Sequence, residues 1–175
     1  MDDQGPRRAW LSLGSNLGER IDYLRQAVAF FEAAGVRVIQ ASSVYETEPV
    51  GGPPQGPYLN AVIEVLWLGP PEQLLTIARA AETEADRIRE VKWGPRTLDV
   101  DLIAMDRVTI DGGDEPDALT LPHPRAHERA FVIVPLAEIA PTTVLAPHGT
   151  AATLLMSLPA TDLAGVRLTS LRLQP

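Results

Sequence analysis

Two aspartates one residue apart, Asp99 and Asp101, lie in a stretch where apolar residues alternate with them. Leu98, Val100, Leu102 and Ala104 fall on one side and the acids on the other. A period of two is what a strand imposes, because successive side chains point to opposite faces. On a strand, both carboxylates project from one face, roughly 6–7 Å apart along the backbone. They repel, and the strand itself offers no cation. A hard divalent ion relieves that repulsion: magnesium takes oxygen ligands and is held by one or two carboxylates together with substrate phosphates. Directly upstream, Trp93-Gly94-Pro95-Arg96 supplies a tight turn and a guanidinium able to meet phosphate oxygens in pairs. The plainer reading is a solvated edge strand kept soluble by its acids. The turn and arginine beside it weigh against that.

The charge distribution points the same way. The formal net charge is −8, which disfavours a nucleic-acid surface, since a phosphate backbone needs a basic patch. Within this acidic chain, Arg87, Arg89, Lys92 and Arg96 form one basic cluster, and His123, Arg125, His127 and Arg129 form another. Two compact basic clusters in an acidic protein suit a small anionic ligand. There is no cysteine, so disulfide frameworks and thiolate metal sites are excluded, in keeping with a cytoplasmic setting. No apolar run is long enough to span a membrane and no signal-peptide core is visible. At 175 residues the chain has the length of one domain with its own core. Residues 1–8 read as a flexible extension and 9–175 as the domain.

The elements that must position these groups follow from periodicity. Residues 9–13 read as a strand that ends in the turn-rich segment 14–18. A helix follows, with Ile21, Leu24, Val28 and Phe31 on one stripe and a stop at Gly35. Residues 36–45 read as a second strand. The segment 46–57, dense in proline and glycine, reads as a functional loop without regular structure. In the strand expected at 58–67, Leu59, Ala61, Ile63, Val65 and Trp67 share one face, and Tyr58, Asn60, Val62 and Glu64 the other. Pro70 and Pro71 open a second helix with the stripe Leu74, Ala78, Ala81, Ala85 and Ile88. The acidic strand, 98–105, closes the series.

Strand, helix, strand, strand, helix, strand is the α+β, ferredoxin-like βαββαβ order, an antiparallel sheet with two helices on one face. The other face is expected to carry Tyr58, Asn60, Asp99 and Asp101 where no helix packs. Beyond it, short C-terminal helices and strands are expected: a strand at 108–110, a helix at 127–139 limited by Pro135, a helix at 150–158, and an edge strand near Val166, Leu168 and Ser170. No function attaches to the last of these.

Four blocks, at 11–18, 42–49, 93–101 and 121–131, together resemble the 6-hydroxymethyl-7,8-dihydropterin pyrophosphokinases of folate biosynthesis. The resemblance runs from about Leu11 to Pro141 and keeps the family's block order. It implies a ferredoxin-like core and transfer of pyrophosphate from ATP to the pterin hydroxymethyl group, releasing AMP. It implies two magnesium ions on Asp99 and Asp101, with Arg87 and Arg96 as further catalytic groups. Around the nucleotide it places Glu82, Arg87, Arg89, Trp93, Arg96, Leu102, Thr120, His123 and Arg129. Around the pterin it places Thr47, Val50, Tyr58, Asn60, Trp93 and Phe131, with the rings of Tyr58 and Phe131 as the sandwich. The partners expected are ATP and the pterin, with no nucleic acid, no membrane and a monomeric chain.

Each assignment has a duller counterpart. Tyr58 and Phe131 both read as core aromatics, and for Phe131, on an apolar stripe, that is the default reading without the resemblance. Arg87 and Arg89 suit a solvated helix end. Glu82 and Arg79 are spaced as an exposed helical pair. His123 between two prolines is poorly explained by packing. Asp86 stands where the family often has glycine, and Glu90, Val91 and Lys92 make the following loop less basic than in some relatives. Loops 46–57 and 86–97 have the composition of segments that close over a site. Two other functions share parts of this pattern: a magnesium-dependent phosphohydrolase using the same acids, and a non-catalytic ligand-binding module on the same scaffold.

Overall fold

The computed structural model describes residues 5–85, 97–113 and 117–174. The chain order is β1 (Arg7–Ser15), α1 (Arg20–Ala33), β2 (Arg37–Ala41), β3 (Tyr45–Thr47), β4 (Tyr58–Trp67), α2 (Pro71–Glu84) and β5 (Asp99–Met105). A 3-10 turn (Ala126–Glu128) then leads into α3 (Ala130–Ile139), β6 (Val144–Leu145), β7 (Gly149–Thr150), α4 (Ala151–Ser157), α5 (Ala160–Ala164) and β8 (Val166–Leu168). The main sheet runs β5-β1-β4-β3-β8, with β2 also on β4 and every pairing antiparallel. This is the ferredoxin-like arrangement that the element order predicts. Among the described residues no helix is long and apolar enough to cross a membrane.

One face of the sheet is sealed by α1 and α2. The helical stripes land as their spacing requires: Leu24, Val28 and Phe31 from α1, and Leu74, Ala78 and Ala81 from α2, are buried in one cluster with Leu11, Leu13, Ile63 and Val100. Ile88 lies outside the described residues. Burying a side chain of this size is worth about 1.5–3 kcal/mol, so these few residues provide much of the drive to form this layer.

The opposite face departs from expectation. It is not free of helices: α3 lies on its far half, where Val132, Ile133 and Leu136 pack on Trp10, Val62, Ile103 and Ala104. The cause is in the sequence of α3, which is apolar almost all round and cannot remain in water. Val62 and Glu64 are therefore buried, not exposed. A bulge explains Ala104, which was expected beside Leu98, Val100 and Leu102. Leu11 faces Leu102 while Trp10 faces Ala104, leaving Ile103 as the extra residue. The alternation slips by one there, sending Ile103 and Ala104 to the α3 side and Met105 to the α1–α2 side.

Other boundaries shift too. The strand expected from residue 9 begins earlier, with Arg7 and Arg8 of β1 opposite Trp67 and Leu66. The second strand breaks between β2 and β3, where the Ser42 hydroxyl accepts from the Val62 N–H at 2.9 Å and so takes the place of a backbone carbonyl. Glu46 and Thr47 consequently sit in β3 and not in the loop. Residues 108–110 form no strand; only a bridge joins Ile110 to Leu121. The helix expected from 127 begins at Ala130, because Arg129 is extended.

Candidate active site

Three side-by-side positions make a floor at the uncovered end of the sheet. Gly14 of β1 pairs with Asn60 of β4 on one side and with Asp99 of β5 on the other. All three point away from α1 and α2. Glycine in the middle leaves the Asn60 amide its place: a Cβ there would lie 2.9 Å from Asn60 Oδ1 and 3.5 Å from the Tyr58 ring. The Asn60 amide is buried and donates to the Thr47 hydroxyl of β3, which fixes which way it points. Phe131 enters from the first turn of α3, and Tyr58 from the first residue of β4.

Two residues along β5, Asp101 shares the face of Asp99. Arg129 Nη1 reaches its Oδ2 at 3.5 Å, and the Arg129 guanidinium lies 5.6 Å from the Phe131 ring centroid. Burial lowers the Arg129 pKa from its ordinary value, with Asp101 opposing the shift. His123 is held close by the bulge, since its N–H donates to the Ile103 carbonyl at 2.7 Å. Burial first, then the Arg129 and Arg125 cations, push the His123 pKa down to about 4, and Asp99 opposes them. The ring is neutral at pH 7. Its Nδ1 accepts the Arg125 N–H at 3.2 Å, which leaves Nε2 to carry the proton as a donor.

These groups border a cavity of about 760 Å³. Of the residues singled out from sequence, Thr47, Val50, Tyr58, Asn60, Asp99, Arg129 and Phe131 line it. Asp101 meets this lining through its ion pair with Arg129, and His123 feels the charges of Arg129 and Asp99. Glu82 is buried, not the exposed partner of Arg79, and accepts the Val100 N–H at 2.9 Å, which braces the edge strand that carries the acids. Leu102 turns its side chain into the α1–α2 core. Thr120 accepts the Gly112 N–H at 3.3 Å, outside the cavity lining. Arg87, Arg89, Trp93 and Arg96 lie outside the described residues.

The donor set fits magnesium of the kind that completes its shell on phosphate. Asp99 and Asp101 supply two carboxylates on one face of β5. One or two carboxylates are what magnesium takes from a protein when substrate phosphates and water supply its other ligands.

The model of the 7,8-dihydro-6-hydroxymethylpterin-pyrophosphokinase family matches residues 10–141. The chain belongs to this family. Among curated pyrophosphokinases, that of Bacillus subtilis is 47% identical over 132 residues, covering 75% of this chain and 77% of the relative. That of Mycobacterium leprae is 40% identical over 182 residues, covering 95% and 91%. A crystal structure of Plasmodium falciparum HPPK-DHPS shares the fold, with a TM-score of 0.68 at 12% identity over 89% of this chain. The chain spans 46% of that longer protein.

Several residues of this pyrophosphokinase's cavity went unread in the sequence. Gly14 looks like a turn residue but is a floor tile, and its only signal is glycine at the end of an apolar strand. Gln55 lines the wall and accepts from the Asn16 amide at 2.8 Å, which ties the loop to the end of β1. Thr161, Asp162, Gly165 and Val166 complete the lining from the C-terminal segment. Nothing in their types announces it.

Proposed function

We propose that this chain transfers the pyrophosphoryl group of ATP to the hydroxymethyl oxygen of 6-hydroxymethyl-7,8-dihydropterin in folate biosynthesis, with AMP as the second product. The observation that carries it is the row Asn60–Gly14–Asp99. It sets a flat slot with an oriented amide directly beside a pair of carboxylates, so acceptor and phosphates meet without crossing the site. The pterin ring lies over Gly14, between Tyr58 and Phe131, and reads the Asn60 amide and Thr47. A phosphohydrolase would need the acids but not this slot, and a passive binding module would need the slot but not the acids.

Asp99 and Asp101 would hold two magnesium ions. Bound there, magnesium would supply positive charge against the triphosphate oxygens and help to hold them for in-line displacement. In the reaction, the hydroxymethyl oxygen forms a bond to the β-phosphorus while the bond from that phosphorus to the bridging oxygen of AMP breaks. The hydroxyl proton passes to water. Little covalent work falls to the protein, and rate comes from alignment and from charge placed against the phosphate oxygens. His123 donates from neutral Nε2, and Arg129 moves its charge from Asp101 to a phosphate. Arg87, Arg96 and Trp93 join them from the segment between α2 and β5. In this reading the chain acts as a monomer.

The test is incubation of the chain with MgATP and the pterin, with the nucleotides resolved by chromatography. AMP should appear one for one with pterin pyrophosphate. Asp99→Ala should lower the rate by about 10³-fold, because several kcal/mol of charge stabilisation go with the carboxylate. ADP, or nucleotide breakdown indifferent to the pterin, would overturn the reading.

A further inference from the structure

The family match ends at residue 141, yet the chain beyond it builds one wall of the cavity. Strand β8 lies on β3 with Val166 opposite Thr47 and Arg167 opposite Glu46. Just before it, the Gly165 carbonyl accepts the Glu48 N–H at 3.3 Å. The Arg167 guanidinium then bridges the side chains of Glu46 and Glu48, the residues before and after Thr47. Its Nη2 lies 3.4 Å from Glu46 Oε1 and 2.9 Å from Glu48 Oε1.

A second arginine continues the chain of contacts. Arg20 Nη1 is 3.1 Å from Glu46 Oε2 and donates to the Pro57 carbonyl at 2.8 Å. Glu48 and Pro57 are the two ends of the loop between β3 and β4, and that loop gives the cavity Pro49, Val50 and Gln55. Both roots of the loop therefore hang on one line: Glu48, Arg167, Glu46, Arg20, Pro57. Between the two glutamates lies Thr47, whose hydroxyl orients the Asn60 amide.

We propose that Arg167 is a positioning residue for the pterin side of the site. By holding Glu46 and Glu48 together it fixes the Thr47 hydroxyl and the root of the 48–57 loop, and it sets affinity for the pterin without touching it. This rests on the proposed function above. Arg167 is half exposed, so its ion pairs add little to global stability. Its leverage is local, because β3 is only three residues long. A strand so short has few contacts of its own with which to keep Thr47 in register.

Steady-state kinetics of the full chain with MgATP and 6-hydroxymethyl-7,8-dihydropterin test this. Arg167→Gln should raise the pterin KM by roughly two- to fivefold, the range of exposed ion pairs, with the ATP KM and Tm unchanged. Arg167→Lys should recover part of the loss, and Glu48→Gln, which removes the same contact from the other side, should reproduce it. Raising salt should move the wild-type pterin KM towards that of Arg167→Gln and leave the variant almost still. An unchanged pterin KM in Arg167→Gln, or both KM values rising together with a drop in Tm, would overturn the assignment. A wild-type chain that makes no AMP with this pair would instead overturn the function on which it rests.

Discussion

Val62 and Asn60 are neighbours on one face of β4, two residues apart, yet they belong to different worlds. Val62 lies under α3 with Trp10, Ile103 and Leu136, in a dry second core. Asn60 borders a cavity of about 760 Å³ with its amide committed to Thr47. The strand is the same and the pleat is the same. What differs is the chain that lies above: α3 begins at Ala130, and its apolar bulk covers only the half of the sheet that its length reaches. A fold with two helices on one face must cover the other face or use it, and this one does both. The second core holds α3 still, and α3 in turn presents Phe131 from its first turn and Arg129 just before it to the uncovered half. Stability and chemistry are thus separated along one sheet face.

If that separation holds, damage to the covered half should appear as lost stability and damage to the uncovered half as lost affinity. Leu136 of α3 is fully buried against the sheet. Leu136→Ala should cost about 2–5 kcal/mol of folding free energy, the usual range for such truncations, while the pterin KM of the remaining folded enzyme stays close to wild type. Denaturant unfolding and steady-state kinetics on the same sample check both halves of the statement. Gly14→Ala should behave in the opposite way. The added methyl meets Asn60 Oδ1 at 2.9 Å, so the amide must turn from its position or the strand must shift. Overpacking of this kind costs about 1–3 kcal/mol, and here it should be spent on the pterin KM, which would rise about tenfold with a small change in Tm. Equal effects of the two substitutions on KM would mean that the two halves are not separable.

The sequence revealed the first core well because its signal is local. Leu24, Val28 and Phe31 repeat at helical spacing, and Leu59, Ala61 and Ile63 at strand spacing, and each buries where its period says. The bulge at Ile103 was illegible, since Ile103, Ala104 and Met105 are all apolar and either register buries them. The break at Ser42 was equally hidden: a serine hydroxyl standing in for a ladder carbonyl looks like any serine. On the site, Asp99 and Asp101 were legible because alternation alone puts two acids on one face. The wall from Thr161 to Val166 was not, because the strand pattern near Val166 shows that β8 can pair and not that β3 is its partner. That choice belongs to the assembled fold.

One contact ties the dry half to the working half, and it titrates. Glu138, near the end of α3, accepts from the Tyr45 hydroxyl at 2.8 Å and from the Ser43 hydroxyl at 2.9 Å, which fastens α3 to the start of β3. Burial, then the hydrogen bond to Glu138 and its negative charge, raise the Tyr45 pKa from 10.0 to about 12. The folded phenol keeps its proton where the unfolded one has released it. Its stabilising contribution is therefore complete below pH 10 and lost as pH rises through about 12. Tyr45→Phe removes this titration but leaves Ser43 on Glu138. At pH 7 the loss should be about 1 kcal/mol or less, as for one partly exposed hydrogen bond. Between pH 10 and 12 the stability of wild type should fall more steeply than that of Tyr45→Phe, so the two curves converge. Parallel alkaline unfolding curves would show that the phenol does not lose this bond on ionising, and that α3 and β3 are held together by packing and Ser43 alone.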